Sequence, residues 1–80
     1  MKEAKVSNFL IGLLKTIKPE FEIKNETLIS DLDLEDIDFT EIAVECEDEF
    51  EIILDELHIE KLKTVEEIIN YIETEIKYKE

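Results

Sequence analysis

Three stretches of this 80-residue chain repeat their apolar residues at the spacing of an α-helix, and one Gly and one Pro are all that punctuate them. Val6, Phe9, Leu10, Leu13, Leu14 and Ile17 form the first set. Phe39, Ile42, Ala43, Cys46 and Phe50 form the second, and Val65, Ile68, Ile69, Ile72 and Ile76 the third. At about 100° per residue each set is a single stripe along one helix. The chain is therefore read as all-α.

The first helix is expected over about residues 2–18, with Pro19 as its stop. Gly12 lies inside it and is read as a point of close packing against another helix. Residues 19–35 form a long connection whose Phe21, Ile23, Leu28, Leu32 and Leu34 alternate with polar residues and are expected to turn inward. Connections of this length carry function or cross a bundle. The second helix is expected over 36–50. Residues 51–63 hold a short helix near 55–61, with Leu57 as its main core contact and Ile59 and Leu62 behind it. "TVEE" reads as a capping box, with Thr64 capping the amide of Glu67 and Glu67 reaching back to the cap amide. A last helix then covers about 65–78. The result is three longer helices, one short helix and a long first loop, in one domain spanning 1–80.

Charge narrows the function. The chain carries 23 acids against nine lysines and no arginine, for a net charge of −14. Such a surface repels phosphate backbones and anionic lipid heads, so nucleic acid and membrane are excluded as partners. It favours partners that present Lys and Arg. An apolar fraction of 44% argues for a packed domain rather than an acidic tail. With no leader sequence, no run approaching the roughly 20 apolar residues of a membrane span, and a single cysteine, a cytoplasmic monomer is the expectation.

Catalytic chemistry finds little support. His58 has no second His or Cys at metal-ligand spacing. Cys46 lies on the apolar stripe and reads as a small buried hydrophobe. Ser7, Ser30 and Thr40 have no candidate base beside them. A helix–loop–helix calcium site needs Gly at loop position 6 and Glu at 12; counted from Asp31, those positions are Asp36 and Ile42. No metal site is expected beyond weak, adventitious binding of a divalent cation by Asp31, Asp33, Glu35 and Asp38. The chain is expected not to be an enzyme. What remains is a stripe of acids, Asp38, Glu41, Glu45 and Asp48, on the side of the second helix away from its apolar residues.

In this order and spacing, the stretch "ISDLDLEDIDFTEIAVECEDEFEI" and the later "KLKTVEEIINYIE" resemble the acyl carrier protein family. The resemblance implies a four-helix bundle. It also implies that a serine at the start of the second helix carries 4′-phosphopantetheine, and that acids on that helix dock basic patches of synthases and transferases. By position Glu35, Asp36, Ile37 and Asp38 fall on the family's Asp-Ser-Leu-Asp motif, so Asp36 stands where the serine would be. Ser and Asp are near-equivalent helix caps, and Asp36 is expected to cap the helix while removing the hydroxyl. Glu35, Asp38, Glu41, Glu47, Asp48 and Glu56 match acids the family uses for docking, and Glu45 extends their stripe. Ile59 and Ile68 fall where the family keeps smaller residues around an acyl-chain cavity. The reading is a homologue without the modifiable serine, with no cofactor as written, serving as a docking or regulatory module in acyl-chain metabolism. The alternatives are a true carrier whose serine was replaced by Asp36, and a small acidic structural domain.

Overall fold

The computed structural model of the chain describes residues 2–79, with side chains from residue 5 onward. Its helices are α1 (Lys2–Ile17), α2 (Asp36–Phe50), α3 (Glu56–Lys61) and α4 (Val65–Lys79), with a 3₁₀ turn at Ile29–Leu32. The three apolar stripes meet in one core. Val6, Leu10 and Leu14 come from α1, Ile42, Ala43 and Cys46 from α2, and Val65, Ile68, Ile69 and Ile72 from α4. Phe9 of α1 packs edge-on against Phe50 of α2, with ring centroids 5.4 Å apart.

The first connection departs from simple alternation. Ile23 and Leu32 are buried and Leu34 half-buried, as expected, but Phe21 and Leu28 are exposed, and Ile29 fills the core in place of Leu28. Backbone pairing explains the change. Leu28 forms an antiparallel bridge with Thr64. The Ile29 amide donates to the Lys63 carbonyl at 2.8 Å, and the Val65 amide donates to the Thr27 carbonyl at 3.0 Å. The connection is thus zipped to the segment before α4. The 3₁₀ turn then changes the side-chain period from two to about three, which sends Ile29 and Leu32 inward together.

Other expectations shift for local reasons. In α3 the core residue is Ile59, fully buried, while Leu57 is 66% exposed. Asp55 sets that phase by accepting the Leu57 amide at 3.0 Å, so Leu57 sits in the capped first turn and faces out. At the start of α4, Thr64 accepts the Glu67 amide at 3.2 Å as expected. The Glu67 carboxylate reaches one residue further back, to the Lys63 amide at 2.8 Å. Gly12 is exposed, and a Cβ there would meet nothing within 4 Å; it marks no helix contact among the described residues. Cys46 is fully buried. Burial first, and then the neighbouring Glu45, Glu47 and Glu49, push its thiol up to about 12, which makes it an inert packing group.

Candidate functional site: the outward side of α2

The start of α2 is held by a reciprocal arrangement. Glu35, not Asp36, is the cap residue, with extended φ −98° and ψ 170°. Its amide donates to Asp38 Oδ2 at 2.9 Å, and the Asp38 amide donates to the Glu35 carbonyl at 2.9 Å. Asp36 is the first residue inside the helix and is exposed. It serves the fold as a negative charge at the positive end of the helix dipole, a smaller contribution than a side-chain cap.

Among the hydroxyls near this point, Thr40 lies one turn into α2. Its Oγ1 lies 2.9 Å from Glu56 Oε2 and 3.1 Å from the Asp36 carbonyl, both as acceptors. Ser30 is exposed in the 3₁₀ turn. The four acids Asp31, Asp33, Glu35 and Asp38 do not converge; among the described residues no three His, Cys, Asp or Glu form a metal-holding group.

The acids read as docking residues divide into two kinds. Glu41, Glu45 and Asp48 are exposed on the side of α2 away from the core. Glu47 and Glu56 are half-buried and engaged. Glu47 Oε2 accepts the Leu54 amide at 2.8 Å and so folds the α2–α3 loop back onto α2; Glu56 receives Thr40. Both lie along the seam between α2 and α3. Asp38 is half-buried and spends one oxygen on the Glu35 amide.

Two apolar residues missed by the sequence reading lie among the exposed acids. Ile37 is 72% and Val44 52% exposed. With Glu41 and Asp48 they follow one another at i, i+4, i+7 and i+11, a single outward line. Their signal in the sequence is that they are the apolar residues of α2 that lie off its core stripe. A line of exposed apolar residues framed by one sign of charge is suited to a partner of the opposite sign. The α2–α3 loop is also fixed from α4: Tyr71 Oη accepts the Asp55 amide at 2.9 Å, and its ring packs on His58 at 4.5 Å.

The family model described as "Phosphopantetheine attachment site" matches residues 5–72. The acyl carrier protein of Buchnera aphidicola subsp. Schizaphis graminum is 32% identical over 68 residues, covering 85% of this chain and 86% of its own. That of Thermobifida fusca is 36% identical over 56 residues, covering 69% and 71%. That of Chlamydia felis is 37% identical over 51 residues, covering 64% and 65%. The crystal structure of an acyl carrier protein from Thermotoga maritima shares the fold, with a TM-score of 0.78 over 100% of this chain and 96% of that one at 17% identity. The chain belongs to the acyl carrier protein family. No helix among the described residues is long and apolar enough to cross a membrane.

Proposed function

We infer that this chain is an acyl carrier protein homologue without the modifiable serine. On this reading it is a non-enzymatic, cytoplasmic module that docks basic surfaces of synthase- or transferase-type proteins of acyl-chain metabolism. The observation that carries the reading is the outward line Ile37, Glu41, Val44 and Asp48, an apolar contact framed by acids on a rigid helix. The family's prosthetic group does not fit the residues at the start of α2. Attachment needs a free hydroxyl, and Asp36 offers a carboxylate that would not form a stable phosphodiester. Thr40 is a turn away with its oxygen bonded to Glu56. The buried Ile59 and Ile68 occupy the core and agree with a carrier that holds no cargo.

Its test is electrostatic. Binding of the chain to an immobilised phosphopantetheinyl transferase should weaken steeply as salt rises, because exposed charges are screened beyond about 8 Å at physiological ionic strength. Glu41→Lys combined with Asp48→Lys should remove most of that binding. Affinity that ignores both salt and these reversals would favour a small acidic structural domain instead.

A further inference from the structure

α1 contrasts with the acidic α2. No Asp or Glu lies between Glu3 and Glu20, in a chain where 23 of 80 residues are acids. With Val6, Leu10 and Leu14 turned into the core, helical spacing leaves Lys5, Asn8, Gly12 and Lys15 along the outward line. All four are exposed. Gly12 lies in the middle of it. Its φ is not positive and a Cβ there would meet nothing within 4 Å. Neither backbone conformation nor packing among the described residues calls for glycine, although glycine weakens a helix interior relative to alanine. The Thr16 hydroxyl folds back onto the Gly12 carbonyl at 3.1 Å, so the helix surface stays low on that side too.

We propose that the outward side of α1 is a second docking surface, and that it takes an acidic helix of a partner protein. Charge complementarity selects that occupant. Lys5 and Lys15 stand ten residues apart, about 15 Å along the axis, on either side of a backbone step bare enough for another helix to approach closely. Acids on the incoming helix meet lysines at both ends; a basic helix meets no acid on this line. An extended anionic surface, such as a bilayer, would also face the rest of a body carrying −14. A single helix touches only this side, and at physiological ionic strength it feels mainly charges within about 8 Å. Lys5 also lines a groove with Glu49, Glu51 and Lys79, so Gly12 and Lys15 are the discriminating positions. The surface does not depend on the reading of α2. If both hold, the chain joins two partners of opposite charge.

The experiment is an NMR titration of the ¹⁵N-labelled full chain with a synthetic helical peptide bearing Glu on one side and Ala at its centre. A basic peptide of the same length is titrated in parallel to report on α2. The acidic peptide should shift amides of residues 8–16. Its affinity should rise as salt goes from about 0.01 M to about 0.15 M, where the screening length falls from about 30 to about 8 Å and long-range repulsion is removed. The basic peptide should show the opposite trend. Lys15→Glu should abolish the α1 shifts. Gly12→Leu should abolish them too while the melting temperature holds or rises, which separates blocked docking from misfolding. Shifts confined to α2, or indifferent to both substitutions, would overturn the proposal. So would sedimentation of the chain as a dimer sensitive to Lys15→Glu, or binding to anionic vesicles with that sensitivity, since either gives this side of α1 a different occupant.

Discussion

α1 and α2 are of similar length and turn the same kind of apolar stripe into the same core, yet their outward sides have opposite character. α2 carries seven acids and no basic residue; the outward line of α1 carries two lysines and a glycine. The inward stripes set the fold and are interchangeable in kind. The outward lines are exposed and not fixed by the core, so their difference is not a requirement of the fold. Substitutions on the two sides of the two helices should therefore separate cleanly.

The largest effects belong to the inward stripes. Leu10→Ala and Ile42→Ala should each cost about 2–5 kcal/mol by urea unfolding, a large share of the roughly 5–15 kcal/mol typical of a small domain. A midpoint unmoved in either variant would break the claim that both helices build one core. Next in size is a distinction within α2. Glu47→Ala strands the Leu54 amide and should cost about 1–3 kcal/mol, whereas the exposed Glu45→Ala should stay within about 0.5 kcal/mol. Equal costs would mean that Glu47 is not holding the α2–α3 loop.

Cys46 supplies a pH test of the same core. Its folded thiol keeps its proton up to about 12, against 9.0 for an unperturbed thiol. Below pH 9 the proton is bound in both folded and unfolded chains, and the full stability is present. Between 9 and about 12 the unfolded chain releases it first, so stability should fall as pH rises. Urea midpoints at successive pH values should show this slope in the native chain and a shallower one in Cys46→Ala. A small effect of the opposite sign lies on the outward side of α1: Gly12→Ala should stabilise by about 0.5–1 kcal/mol. A loss of stability there would mean that the glycine serves packing inside the chain.

Much of this was legible in the sequence, and the limits are physical. The bounds of α2 at 36 and 50 follow from the acidic start and from Phe50 closing the stripe. α1 and α4 follow from long, regular stripes. Regularity fails where an element is too short to establish a period or where pairing is distant in sequence. Six-residue α3 could not show which of Leu57 and Ile59 faced inward. The exchange of Leu28 for Ile29 depends on Thr64 and Lys63, more than thirty residues away. At the candidate site, the exposed acids Glu41, Glu45 and Asp48 were legible from the wheel. The internal engagement of Glu47 and Glu56 was not, because their partners lie across the α2–α3 seam. Aspartate is a good cap, and propensity alone favours Asp36; Glu35, poorer by propensity, takes the position through its link with Asp38.

The central claim is that α2 keeps the docking surface while Asp36 removes the point of attachment. The most direct measurement is the intact mass of the chain and of its Asp36→Ser variant after incubation with coenzyme A and a phosphopantetheinyl transferase. The account predicts that the variant gains one phosphopantetheine and the native chain gains none, with comparison to the gene settling whether Asp36 is the original residue. A gain by the native chain would contradict the account and assign the attachment to another hydroxyl.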